Sequence, residues 1–112
     1  MNTGPQNRVA DVARDALEGK IGAIEAARLL APMLHANPGL LAKDDFNTII
    51  GIDSETDDLP IGRVRIEWDP GALAEKDSEI ARCEQLWRDR ILSVCQRLLA
   101  QSGDSVASNQ RA

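Results

Sequence analysis

Residues 69–101 read DPGALAEKDSEIARCEQLWRDRILSVCQRLLAQ, and this stretch decides the fold. Its apolar positions are Leu73, Ile80, Cys83, Trp87, Ile91, Val94 and Leu98, separated by steps of three, four or seven. A helix turning once every 3.6 residues places such positions on one face. Asp69 stands where a capping carboxylate belongs, and Pro70 suits the first helical position, where a backbone N–H is not needed. Glu75, Asp77 and Glu79 lie near the start and Arg88, Arg90 and Arg97 toward the end, an order that complements the helix dipole. Glu84 and Arg88 stand four apart, in the orientation of a favourable surface ion pair. With Gly103 as its stop, the helix runs to Gln101, about 32 residues and about 48 Å at 1.5 Å each.

Three shorter helical patterns precede it. From Pro5 to Glu18 the apolar set is Val9, Val12, Ala13, Ala16 and Leu17, with Gly19 placed for a left-handed C-cap. Residues 1–4 are expected to fray. A second helix starts at Gly22 and carries Ile24, Ala27, Leu30, Ala31 and Leu34 on one side. Pro32 removes an N–H from its ladder, so a kink or stop is expected near Ala31. Asn37-Pro38-Gly39 closes that region as a turn. Asp44 or Asp45 is then expected to cap a short helix bearing Phe46, Ile49 and Ile50.

Between this third helix and the long one, Val64, Ile66 and Trp68 alternate with Arg63, Arg65 and Glu67, the period of a β-strand. No second strand pattern exists for it to pair with, so an extended path over the helices is expected. The sequence thus predicts an all-α fold. It is a small helical bundle with a long C-terminal helix and one extended segment around 62–68. Residues 1–101 form a single domain, and the polar residues 102–112 form a disordered tail.

The chain has 112 residues, with hydrophobic residues at 43% and charged residues at 28%, an ordinary globular balance. Phe46, Trp68 and Trp87 are the only aromatics, so the core must be built from Leu, Ile, Val and Ala. The formal net charge is −5, which argues against nucleic-acid binding, since that needs a positive footprint. The acidity is local. Residues 44–58 hold six acids and no Lys or Arg, leaving the remainder with 12 acids against 13 bases.

No membrane-span pattern and no leader pattern are visible, so a cytoplasmic protein that avoids membranes is expected. Cys83 and Cys95 are twelve residues apart in one helix, about 18 Å, far beyond disulfide reach. They read as reduced thiols, with an intermolecular bridge or redox sensing as the alternative.

Several chemistries are tested and set aside. His35 is the only histidine, and no nucleophile motif accompanies it, so it reads as structural. One His and two distant Cys do not make a zinc site. Gly19-Lys20-Ile21-Gly22 does not match a phosphate loop. Asp53, Glu55 and Asp57 resemble the start of a calcium loop. That pattern then requires glycine where Asp58 stands and glutamate where Val64 stands. No cofactor, metal ligand or catalytic residue is therefore assigned.

What remains is a candidate partner-binding set: Asp53, Glu55, Asp57, Asp58, Arg63, Arg65 and Trp68. Its carboxylates would steer a basic protein, while Ile61, Trp68 and the arginines would supply packing. The plain alternative for the carboxylates is a solvated surface. In that reading Asp53 and Asp57 repel across one helical face, and Arg63 and Arg65 pair locally with Asp57, Asp58 or Glu67. Two further alternatives are a metal-dependent enzyme or metal-binding protein using the same carboxylates, and a structural homodimer through the long helix around Trp87 and Ile91.

Three features extend across residues 19–99. They are Gly19-Lys20-Ile21-Gly22-Ala23-Ile24-Glu25-Ala26, Ile52-Asp53-Ser54-Glu55-Thr56-Asp57 with Leu59-Pro60-Ile61-Gly62, and Trp68 followed by Lys76-Asp77 and Arg88. In these the chain resembles a family of small uncharacterised bacterial proteins. Some small acidic bacterial proteins of this look are immunity proteins that mask a toxin. That family carries no assigned activity, and by analogy a toxin-masking role would suit a carboxylate-rich docking face.

Overall fold

The computed structural model describes residues 5–102. Four α-helices follow one another: α1 (Pro5–Leu17), α2 (Ala23–Ala36), α3 (Lys43–Glu55) and α4 (Pro70–Ser102). Two 3-10 turns, Pro38–Leu40 and Gly62–Glu67, sit in the connections. No strand occurs among the described residues, and the chain is an all-α bundle. The expected fraying of residues 1–4 and the expected tail from residue 103 onward lie outside the described residues. Ser102, assigned to the tail by its polarity, is the last residue of α4.

The molecule measures 48 × 30 × 27 Å. Its long axis is α4, whose 33 residues span about 50 Å at helical rise. α1 packs most extensively against α4 and α2 next, whereas α3 touches α4 least and leans on α2. The core is aliphatic, as the scarcity of aromatics requires. Seven of its residues are alanines (Ala10, Ala13, Ala16, Ala23, Ala26, Ala27 and Ala31), all on α1 and α2. Small side chains let those helices approach closely, and Ile24, Leu30, Leu34, Ile49, Ile91 and Val94 fill the remaining volume.

Local signals account for several helix ends. Asp69 Oδ2 accepts the N–H groups of Gly71 (3.0 Å) and Ala72 (3.2 Å), the cap expected of it. Gly19 has φ 78°. The N–H of Gly19 reaches the Ala16 carbonyl and the N–H of Lys20 reaches that of Asp15, the paired bonds of a Schellman stop.

Other local expectations fail for physical reasons. Pro32 does not stop α2, which continues to Ala36. Pro32 faces solvent, where water can serve the carbonyl its missing N–H leaves unpaired. Asp44 and Asp45 lie inside the first turn of α3, whose cap position is Ala42. Asp45 instead receives both Nε (2.6 Å) and Nη2 (2.9 Å) of Arg97 on α4.

Residues 62–68 do not form the extended segment. Gly62–Glu67 is a 3-10 helix entered through Gly62 at φ 77°, and only the flanking Ile61 and Trp68 are extended. With no partner strand, the backbone satisfies itself locally, as in the Trp68 N–H to Arg65 carbonyl bond of 3.1 Å. The alternation of Val64 and Ile66 does not encode burial, because both are exposed.

Candidate functional site

The carboxylate cluster is built by the end of α3. Asp53 and Glu55 lie in its last turn, Thr56 ends it, and Asp57 and Asp58 follow in the turn. The helix stops before Asp57, so Asp53 and Asp57 do not share a helical face. Yet the Asp53 carboxyl is raised first by burial and then by the charge of Asp57, as the expected repulsion requires. A helix C-terminus carries partial negative charge, which makes this an unfavourable place for acids unless a cation compensates.

Arg28, on α2, supplies that cation. Its Nη1 donates to the Leu59 carbonyl at 2.8 Å, its Nη2 donates to the Thr56 carbonyl, and its Nε lies 3.6 Å from Asp53 Oδ1. One guanidinium thus neutralises a helix terminus, closes the turn and engages the first carboxylate of the cluster. Thr56 is fully buried at the centre of this knot, its hydroxyl donating to the Ile52 carbonyl at 2.8 Å. Burial pushes the Asp53 carboxyl above its ordinary 3.8, more than the opposing pull of Arg28 lowers it.

The candidate residues divide accordingly. Asp53 is turned inward and tied to Arg28. Glu55, Asp57, Asp58 and Arg63 are exposed. Arg65 is committed elsewhere. It makes a bidentate pair with Asp77 of α4 (2.8 and 3.1 Å) and reaches the Pro60 carbonyl at 3.2 Å. The expected pairing of Arg65 with Asp57, Asp58 or Glu67 is therefore replaced by one with Asp77, which the start of α4 carries past the 3-10 turn. Trp68 is half-buried just after that turn. Ile66 is 85% exposed and Val64 43%. The anchored turn thus displays two apolar side chains.

Sequence spacing missed two residues. Arg28 was one. The other is Glu84, whose expected partner was Arg88. Its carboxylate instead accepts the N–H groups of Ala23 (3.1 Å) and Ile24 (2.9 Å), capping α2 from across the bundle. The signal was Gly22 at the α2 cap position: it has no side-chain oxygen, so the acceptor had to come from elsewhere. A Cβ at Gly22 would stand 2.7 Å from Glu84 Oε2.

The other chemistry-bearing groups are quiet. His35 is exposed and meets the edge of Phe46, with ring centroids 5.6 Å apart. Cys83 and Cys95 are free thiols. Burial pushes Cys95 up to about 11, which leaves it without thiolate character at neutral pH. Cys83 is raised as well, first by burial and then by Glu79, with Asp58 and Glu55 adding to it. Among the described residues, no group of three or more His, Cys, Asp or Glu side chains is arranged to hold a metal ion. No helix there is long and apolar enough to cross a membrane.

Several open hollows line the described surface, including one of about 750 Å³ between Gly22 and the α4 side chains Ser78, Arg82, Gln85 and Arg88. Another of about 370 Å³ lies between α3 and α4, bounded by Gly51, Glu55, Trp87 and Arg90. One of about 250 Å³ shares Thr48 and Arg90 with it and continues toward Asp45 and Arg97. A smaller one, of about 160 Å³, lies under Ile61 and Gly62 beside Glu25 and Glu84. No family model, curated protein or solved structure matches the chain.

Proposed function

We propose that this chain is a non-catalytic, cytoplasmic interaction module that docks a basic protein through the turn linking α3 to α4. The observation that carries this reading is Ile66. It is 85% exposed on a turn whose neighbouring residue, Arg65, is held by a bidentate ion pair to α4. A large apolar side chain displayed from an anchored backbone leaves only its own rotamers to be ordered on binding, which suits a contact residue. Exposed Asp57 and Asp58, nine and eight residues upstream, supply the charge that would steer a cationic partner and select it. Asp53 and Arg65 support the geometry from behind, and Glu55, Arg63 and Trp68 complete the rim. Masking a basic surface of a toxin, as some small acidic bacterial immunity proteins do, fits this chemistry.

The test is affinity capture compared across variants. Ile66→Ser and the double variant Asp57→Asn/Asp58→Asn are expected to lose the same basic protein that the wild-type chain retains at low salt. If both retain it as the wild type does, the docking reading fails.

A further inference from the structure

The outer stripe of α4 is largely exposed, with Glu79 paired to Lys76 of the same helix and Arg97 held by Asp45 of α3, and it carries a charge pattern that complements its own reverse. On helical spacing, Glu75, Glu79, Arg82, Leu86, Arg90 and Arg97 fall on one stripe, turned away from the buried Ile91, Val94 and Leu98. Acids occupy its N-terminal end and arginines its C-terminal end. At its middle stands Leu86, 66% exposed. Alongside this stripe runs the open groove between α3 and α4. Its α3 wall contains Gly51, where a Cβ would meet nothing within 4 Å, so another helix can approach closely.

We infer that the occupant of this face is a second copy of the chain, with α4 packed antiparallel on α4 about a two-fold axis. Placing Glu79 opposite Arg90 puts the axis between residues 84 and 85. At a rise of 1.5 Å per residue, the two copies of Leu86 are then about 4.5 Å apart along the helices, within packing distance. The same register sets Glu75 against the turn that carries Arg97. The two Arg82 side chains stand about 7.5 Å apart along the axis, with the leucines between them. The contact is isologous, so each favourable pair occurs twice.

A parallel arrangement would set acid against acid and arginine against arginine. Charge complementarity thus selects the antiparallel sense, and pairing Glu79 with Arg90 sets the register. One helix-on-helix contact is smaller than the roughly 1,200–2,000 Å² of a stable interface. The expected state is therefore a concentration-dependent monomer–dimer equilibrium that weakens with salt.

Sedimentation equilibrium from micromolar to millimolar protein tests it, with circular dichroism confirming that each variant is folded. Arg90→Glu sets Glu79 against glutamate, and Glu79→Arg sets Arg90 against arginine. Each alone is expected to weaken association by about tenfold or more. An equimolar mixture of the two restores both pairs and is expected to form a 1:1 heterodimer with near wild-type affinity. A wild-type chain that stays monomeric at 1 mM overturns the inference. So do single variants that associate as the wild type does, or a mixture that remains monomeric. The face contains neither Ile66 nor Asp57 and Asp58, so Ile66→Ser should dimerise normally. That separates failure of this inference from failure of the docking reading.

Discussion

Asp53 and Asp77 are both aspartates facing an arginine, yet folding moves their acidities in opposite directions. Asp77 accepts a bidentate hydrogen bond from Arg65, which lowers its pKa below the ordinary 3.8. A depressed folded pKa contributes stability above the unfolded value, and that stability is lost as pH falls through the folded one. Asp77→Asn should therefore melt below the wild type at pH 7, with the gap closing as pH drops under 3.8. Burial raises Asp53, so its charged form opposes folding at neutral pH and is relieved as pH falls through the raised value. Asp53→Asn should be at least as stable as the wild type at pH 7 and lose that advantage in acid. Melting curves across pH 2.5–7 check both signs, and parallel profiles for the two variants would contradict them. Neither role was legible in sequence. Asp53 was visible as one of a cluster of acids, but the partners that decide its behaviour are Arg28, on another helix, and burial. The residues that were legible, Asp69, Pro70 and Gly19, act on backbone atoms within five positions, where spacing in the chain is also spacing in space.

At the scale of elements, the helices were readable from periodicity and the link between α3 and α4 was not. Periodicity reports a buried face, and each helix has one. The 62–68 link has none, so the alternation there had no burial to report, and Gly62 together with local hydrogen bonding decided its shape. The start of α2 shows the same limit. Gly22, Ala23, Ile24 and Glu84 form a unit whose cost of disruption is predictable. Glu84→Ala leaves two N–H groups at the helix start without their acceptor, which should cost about 1–2 kcal/mol. That corresponds to a fall of about 5–10 °C in melting temperature for a domain of this size. Gly22→Ala pushes the same carboxylate away and should lower stability through the same loss. The double variant should therefore cost clearly less than the sum of the two singles, since the second change finds the cap already gone. Strict additivity in thermal melts would show that Gly22 and Glu84 act independently.

For the whole molecule, α4 is a spine fully buried only at one end, while its first half is held by half-buried side chains such as Cys83 and Trp87 and by the Asp77 and Glu84 contacts. Ile91, Val94, Cys95, Leu98 and Leu99 are buried, whereas no residue from Pro70 to Arg90 is. Hydrogen exchange should follow that division. Amides around 92–99 should open only with global unfolding, and those around 72–82 should exchange orders of magnitude sooner. Uniform protection along α4 would mean that those contacts hold the first half as firmly as burial holds the second. The aliphatic core was foreseeable from composition, because three aromatics could not fill it. The uneven grip was not, because the apolar stripe from Leu73 to Leu98 runs along both halves alike, and only the short reach of α1 to α3 decides which half they cover.

The capping of α2 by Glu84 also bears on how the chain is made. A ribosome releases residues in order, and the carboxylate that completes α2 is synthesised 60 residues after the N–H group of Ile24 that it serves. Until α4 emerges and docks, the first turn of α2 has to rely on water. The first half of the molecule is therefore consolidated only when the last helix is delivered, so a chain stalled before residue 84 would hold α2 in an unfinished form.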